Sequence, residues 1–345
     1  MNRIHRIVGA VRILVTGHTG FKGSWLTLYL KELGHEIHGL SLSAEERSLF
    51  NDLSLEQVLS GHYLADIRDR RLVDKIIGEV CPEVVIHLAA QAYVIEGYLK
   101  PIETIQVNAT GTLNVLLASL ESKVPQILII TTDKVYRTGD YNRPFIETDR
   151  LGGSDSYSTS KVIADLAAQT LMDYSPHSTI HVARGGNVIG GGDYGPDRLI
   201  PDLFRALESN SIAELRYPKA TRPWQHVLDC VSGYWKIIEN GTKSHSGGVW
   251  NIGPKLGQRK SVEEVCKMFQ EFFLVEDLFR PVPALLPETL SLELNSEKAM
   301  KQLGWNPTLD IDQALVWTFN WYRQKLKSQN LIEFTHAQLS EYLAL

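Results

Sequence analysis

Short apolar runs alternate with longer amphipathic stretches through the first half of the chain. Residues 12–16, 36–42, 62–67, 84–89, 126–131 and 179–184 read as six strands. The spacing between them predicts helices over 23–33, 70–79, 101–120 and 156–172, with Gly34 stopping the first. The run Ile-Leu-Ile-Ile at 127–130 has no polar alternation. Such a strand suits a parallel sheet covered on both faces. Strands alternating with helices imply right-handed crossovers. The fold expected is therefore α/β, a Rossmann-type doubly wound parallel sheet. After Gly190 the pattern breaks up, with Pro196, Pro201, Pro218 and Pro223 among short elements and helices over 261–272 and 311–327. This reads as a smaller C-terminal α/β lobe for substrate. Residues 1–186, with returning segments, would form the dinucleotide-binding domain, and 187–345 mainly the substrate lobe.

The 345 residues are 43% hydrophobic and 22% charged, enough for a good core. Net charge is −5 without long like-charge runs, which argues against a nucleic-acid surface. Cys81, Cys230 and Cys266 form no CxxC pair and no metal-ligand spacing. Buried thiols in a reducing compartment are expected, and no metal site. No apolar run reaches the ~20 residues of a membrane span. Arg3 and Arg6 followed by 7–15 mimic a signal peptide, but Arg12 interrupts the run and a glycine motif follows at once. The expected location is the cytoplasm.

That motif is Gly17, Gly20 and Gly23 in GHTGFKG, directly after a strand and opening a helix. Glycine lets the turn close and lets backbone N–H groups approach a pyrophosphate, and the helix start adds partial positive charge. The strand–loop–helix context makes a dinucleotide site the stronger reading over a plain turn. Ser41, Leu42 and Ser43 end the second strand where an acidic residue would bind the ribose hydroxyls, with Glu45, Glu46 and Arg47 just beyond. NAD and NADP both stay open on these residues. Asp66, ending the third strand, is either an adenine contact or a strand-end cap.

Tyr157 and Lys161 lie four apart in YSTSK, on one face of a predicted helix. A free tyrosine has a pKa near ~10, and a neighbouring ammonium lowers it. Tyr157 can then take a proton from a sugar hydroxyl whose carbon gives up hydride, and Lys161 can also hold the nicotinamide ribose. The fifth strand runs into Thr131, Thr132, Asp133 and Lys134. In open parallel sheets ligands bind beyond the carboxyl ends of the strands. A threonine hydroxyl there can bond the reacting oxygen. An acid beside a base is what water elimination requires. Taken alone, Asp133 and Lys134 would read as a stabilised turn with a solvated lysine.

Together these residues resemble the extended short-chain dehydrogenases, and among them the CDP-glucose 4,6-dehydratases. The resemblance spans nearly the whole chain. It is carried by VTGHTGFKGSWL at 15–26, HLAAQ at 87–91, TTDKVY at 131–136, LGGSDSYSTSK at 151–161, RGGNVIGGGD at 184–193 and RPWQHVLD at 222–229. It implies tightly held NAD, oxidation at sugar C4, loss of water across C5 and C6, and hydride return to C6. Tyr157 would be the base, with Lys161 and Thr132 in support. Asp133 would protonate the leaving C6 hydroxyl, and Lys134 would handle the C5 proton. The resemblance also implies a cofactor site that includes Thr19, Phe21, Lys22, Ile67, Leu88, Ala89, Ala90, Gln91, Asn108 and Thr131. Gln91, Asn187, Arg198, Arg222 and Gln225 would meet the substrate, the arginines matching phosphate oxygens. A homodimer through helices 101–120 and 156–172 is implied too. His226 receives no role.

The chain departs from the family in several places. Ile95 and Gly97 stand where an arginine and a serine are usual, and Ser156 replaces a proline before the tyrosine. The loop between Tyr136 and Leu151 is short and lacks a Glu-Trp pair, and 290–295 reads LSLELN where members often carry a lysine and an aspartate. An epimerase or a dehydratase for another nucleotide sugar is the neighbouring reading. A non-catalytic dinucleotide-binding protein is the alternative of another class, and the presence of Tyr157, Lys161, Thr132 and Asp133 argues against it.

Overall fold

Seven parallel strands carry the architecture: β1 (Arg12–Thr16), β2 (Glu36–Ser41), β3 (Gly61–Leu64), β4 (Val84–His87), β5 (Gln126–Thr132), β6 (Thr179–Gly185) and β7 (Gly248–Ile252). The computed structural model describes residues 9–244, 247–283, 292–327 and 330–345. The expectations drawn on Arg3, Arg6 and 290–291 lie outside the described residues. The strand order is β7-β6-β5-β4-β1-β2-β3, every neighbour parallel, so the order reverses between β1 and β4. That reversal opens a crevice at the carboxyl ends. The doubly wound α/β fold expected from the alternating pattern is the fold observed.

The helices explain why the strands are apolar throughout. In chain order they are α1 (Phe21–Glu32), α2 (Arg70–Val80), α3 (Val94–Leu99), α4 (101–121), α5 (Ser156–Met172), α6 (Leu199–Ser209), α7 (Val227–Ser244), α8 (Val262–Phe273), α9 (Ile311–Leu326) and α10 (Leu331–Ala344). Ile13, Val15, Ile86, Leu128 and Ile130 face one way, into a core shared with Trp25 and Leu28 of α1 and Val231 and Ile237 of α7. Leu14, Val85, Ile127 and Ile129 face the other way, against Val73 and Ile77 of α2 and Val115 and Leu116 of α4. Both faces are buried, so polar alternation would cost desolvation on either side.

Three elements differ from the sequence expectation. The third strand ends at Leu64, because Asp66 turns its carboxylate back to accept from the Arg68 amide. The helix over 101–121 is not uniform: Gln106–Gly111 is wound as a π-helix between two α-helical parts. After Gly190 the chain forms the long helix α7 and then β7, which joins the sheet beside β6. Val, Trp, Ile and Gly233 in α7 dilute its helical signature, and its burial against α1 and the sheet supplies what propensity lacks. Residues 227–252 thus return to the sheet domain. The smaller lobe over the carboxyl ends holds α6, α8, α9 and short strand pairs, such as Ala213–Leu215 with Phe279–Pro281 and Thr221–Arg222 with Lys260–Ser261.

A buried ion pair locks β6 to α5. Arg184 and Asp165 are both fully enclosed and meet through two bonds of 2.8 Å. Asp165 also accepts from Thr131 at 3.0 Å and Gln169 at 2.6 Å. Arg184 in turn donates to the Tyr136 hydroxyl and the Glu147 carbonyl. Both carboxylate oxygens and all three guanidinium nitrogens are bonded, the kind of satisfaction under which a buried ion pair is tolerated.

Candidate active site

The glycine loop is built by close approach. Gly17 has a φ of +74°, and a Cβ there would lie 2.7 Å from the Ala89 amide nitrogen. A Cβ on Gly23 would lie 2.1 Å from the Gly17 carbonyl oxygen. The loop therefore packs on the end of β4 and folds onto α1 only with glycine at both positions. Gly20 caps α1 without a side chain, and the first turn has no acidic residue. By contrast, Asp155, Ser261 and Asp310 close capping boxes on α5, α8 and α9. The amides opening α1 are thus left to an outside anion, which suits a dinucleotide pyrophosphate.

Beyond this loop a pocket opens over the carboxyl ends of β4, β5 and β6, under the smaller lobe. Phe21, Lys22, Leu88, Ala90, Thr131, Thr132, Asp133, Lys134, Tyr157 and Lys161 line its sheet side. Asn187, Arg198 and Arg222 line the lobe side. The five residues expected to do chemistry are therefore in one pocket. Tyr157 and Lys161 project from α5, whose N-terminus is fixed by the Asp155 capping box. Ser156 occupies the first helical position, where the usual proline is also tolerated. Gly97 packs directly on the tyrosine: a Cβ there would be 3.1 Å from the Tyr157 Cβ.

Burial pushes the Tyr157 hydroxyl up to about 12, and the neighbouring Thr132 hydroxyl works the other way. Burial, with help from Lys22, draws the Lys161 ammonium down to about 7. Its Nζ reaches the Ile130 carbonyl at 3.4 Å. Thr132 donates to Asp133 at 2.9 Å and accepts from the Lys134 amide at 3.3 Å. Asp133 is buried, and this raises its carboxyl above the ordinary range, although Lys134, Thr132 and Arg222 pull it back.

Several other residues expected at the ligand also bond to neighbouring parts of the protein. The Thr19 hydroxyl is bonded to Ser41 at 2.7 Å and to the Leu42 carbonyl at 3.2 Å. The Gln91 amide group spans Tyr93 and Thr104. Asn108 clamps both backbone groups of Gln91 and donates to Ser160. Thr131, though at the pocket edge, gives its hydroxyl to Asp165. Ile67 is buried under Gly111, and Asp66 is in a bidentate pair with Arg68. Gln225 is buried with neither amide atom bonded and does not line the pocket, while its backbone pairs with Asn187. His226 is enclosed between Trp25 and Trp317, as a core histidine. Arg47, near the end of β2, pairs with Glu208 and lies 4.6 Å over the Tyr194 ring.

Sequence reasoning missed Asp193, Arg216, Tyr217 and Trp224, which also line the pocket. Asp193 holds Arg198 at 2.8 Å, and Arg198 lies over the Tyr93 ring. Asp193 and Trp224 lie inside the quoted segments 184–193 and 222–229 but were given no role there, while Arg216 and Tyr217 fall in no motif.

A doubly wound sheet, a glycine-built anion cradle and a buried Tyr–Lys pair facing one pocket define a protein of the short-chain dehydrogenase class. Within that class the chain belongs to the NAD dependent epimerase/dehydratase family, whose model matches residues 13–253. It is 35% identical to the CDP-glucose 4,6-dehydratase of Salmonella typhimurium, over 96% of each chain. It is 28% identical to the UDP-glucose 4-epimerase of Erwinia amylovora, over 90% of this chain and 98% of the other. Its fold is similar to that of the dTDP-glucose 4,6-dehydratase of Streptomyces venezuelae, crystallised with NAD, with a TM-score of 0.82 at 23% identity over 93% of this chain and 99% of that one.

Proposed function

We propose that the protein is a nucleotide-sugar 4,6-dehydratase that converts CDP-D-glucose to CDP-4-dehydro-6-deoxy-D-glucose. The observation that carries this reading is the set Thr132, Asp133 and Lys134 at the end of β5, sharing one pocket with Tyr157 and Lys161. The similarity to the Salmonella typhimurium enzyme supports the choice of nucleotide and hexose. The bound cofactor would be NAD, which takes a hydride from C4 and returns it to C6. The cradle at Gly17, Gly20 and Gly23 would hold it. Arg47 is committed to Glu208 and Tyr194, which favours NAD over a 2′-phosphorylated cofactor.

The residues divide the work by their environments. Tyr157, next to a cationic Lys161, takes the C4 hydroxyl proton, and Thr132 orients that oxygen. The C4 ketone acidifies the proton at C5, and Lys134 removes it. Burial favours the protonated form of Asp133, which delivers its proton to the leaving C6 hydroxyl. Arg198 and Arg222 hold the diphosphate, and Tyr217 and Trp224 offer aromatic surface to the base.

A panel of nucleotide hexoses with the purified protein tests the reading. A product lighter by one water, formed from CDP-glucose in preference to UDP- and dTDP-glucose, is the expected result. A product of unchanged mass would mean epimerisation and would sink it.

A dimer belongs to this reading as well. Leu99, Ile102 and Ile105 on α3 and α4, with Ile163 and Leu166 on α5, expose apolar side chains, Ile102 the most at 73%. Such a face is what a homodimer buries. No described helix is long and apolar enough to cross a membrane. Three free cysteines and NAD chemistry support a cytoplasmic location.

A further inference from the structure

Residues 191–198 run from the carboxyl side of β6 to the start of α6 and bring Arg198 to the pocket. The segment is fastened at several points. The Tyr322 hydroxyl on α9 donates to the Asp193 carbonyl at 2.5 Å, and Gly191 packs so closely on Trp321 that a Cβ would overlap the ring. The Tyr194 hydroxyl donates to Asp52 at 2.5 Å, and Arg205 donates to the Tyr194 carbonyl at 2.9 Å. Asp193 divides its carboxylate between two partners. Oδ1 accepts from the Gly195 amide at 3.0 Å, and Oδ2 accepts from Arg198 Nη1 at 2.8 Å. The Arg198 guanidinium also lies over the Tyr93 ring, 5.2 Å from its centre. Among the described residues Arg198 makes no other hydrogen bond, so the donors on Nε and Nη2 are left for a ligand. The Asp193 side chain is 7% exposed and that of Arg198 33%.

We propose that Asp193 is a positioning residue, which holds Arg198 ready against Tyr93 so that the remaining guanidinium donors meet the nucleotide diphosphate. This rests on the reading of Arg198 as a diphosphate ligand. Closing the turn at 193–195 takes one acceptor oxygen, which asparagine would also supply. The second oxygen and the charge go to Arg198. A carboxylate beside an anion-binding cation weakens its attraction for phosphate, so this arrangement needs an offsetting gain. The gain is order. A long side chain that is already fixed loses little freedom when the ligand arrives, and the guanidinium fork is useful only when it is aimed. The anchor is itself rigid, because the Asp193 main chain is tied to α9 through Tyr322 and the next residue is tied to Asp52 across the pocket rim.

The test is a double-mutant cycle on the NAD-loaded protein, with CDP as the probe and its Kd measured by titration calorimetry. The variants are Asp193→Asn, Arg198→Met and the two combined, and bound NAD is counted in each. Asp193→Asn is expected to weaken CDP binding by about tenfold, the upper end of the cost of ordering one flexible side chain. Arg198→Met weakens it at least as much. In the Arg198→Met background, Asp193→Asn weakens it no further, because its effect passes through Arg198. A residue that only shapes the turn would instead cost the same factor in both backgrounds, and that additive result overturns the proposal. Unchanged or tighter CDP binding in Asp193→Asn also overturns it, since the carboxylate would then act only by repulsion. Asp193→Ser repeats the test with a turn acceptor and no carboxylate. If neither substitution folds with NAD bound, Asp193 serves the fold and the proposal fails. Unweakened CDP binding in Arg198→Met removes Arg198 as a diphosphate ligand, and the proposal with it. A wild type without affinity for CDP removes the CDP-glucose reading itself, whereas tight binding with an additive cycle removes only the role of Asp193.

Discussion

In the proposed reaction, Tyr157 and Asp133 put a base and an acid side by side in one pocket. Burial raises both groups, but with opposite consequences. A raised tyrosine is a poor base until cations are near it, so its function depends on Lys161. Burial shifts the Asp133 carboxyl toward its protonated form, the form an acid needs. Tyr157→Phe is expected to slow turnover by roughly 10²–10⁴-fold, the usual contribution of a general base, while bound NAD survives. Full activity in that variant would remove Tyr157 from the mechanism. Asp133→Asn should leave C4 oxidation running and stop elimination, seen as reduced nicotinamide that accumulates instead of being consumed. The pH sign follows from the raised carboxyl. Elimination in wild type persists above the ordinary carboxylate range and falls as pH rises through the raised value, measured as the pH dependence of product formation. Gly23→Ala is expected to expel NAD, since its methyl group would meet the Gly17 carbonyl oxygen at 2.1 Å. Undiminished NAD content in that variant would show that the loop is not the cradle.

At the scale of elements, the site depends on how α4 and α5 are fastened to the sheet. The π-wound turn at Gln106–Gly111 carries Asn108, whose carboxamide reaches both Gln91 and Ser160. Thr112 joins Asn108 to His87, and His87 joins Thr16 on β1. One chain of polar groups thus ties β1, β4, α4 and α5 together behind the pocket. π-turns are rare and concentrate at functional sites, and here the turn aims a single side chain. On the opposite side, the Arg184–Asp165 pair fixes α5 to β6. Arg184→Met would leave a buried, uncompensated carboxylate, and the expected loss is about 3–5 kcal/mol of stability. Thermal unfolding measures it, and a melting temperature equal to wild type would contradict it. The sequence announced these elements without their joints. Asn108 reads like any polar residue in a helix, because a π-turn has no composition of its own. Asp165 reads like an exposed helix residue until β6 brings Arg184 to it.

For the whole molecule, the exposed apolar side chains on α3, α4 and α5 lie away from the pocket, on the helices that carry Tyr157 and Asn108. A dimer formed there would stiffen the catalytic helix without closing the site. Ile102→Asp combined with Leu166→Asp is expected to give a monomer in analytical ultracentrifugation while the wild type sediments as a dimer. A monomeric wild type would refute the interface.

The linear sequence determined the doubly wound sheet, the glycine loop and the face of α5 that brings Tyr157 and Lys161 to one pocket. Each rests on local physics: a period of apolar residues, glycines where side chains cannot fit, and a four-residue spacing on a helix. Tertiary structure alone decided the rest. It set the partners of Thr19, Gln91 and Asn108 within the protein and kept Gln225 off the pocket lining. It brought Asp193, Tyr217 and Trp224 to the pocket from a lobe without periodic signal. A side chain's direction depends on which neighbours compete for its hydrogen bonds and volume, and those neighbours lie far away along the chain.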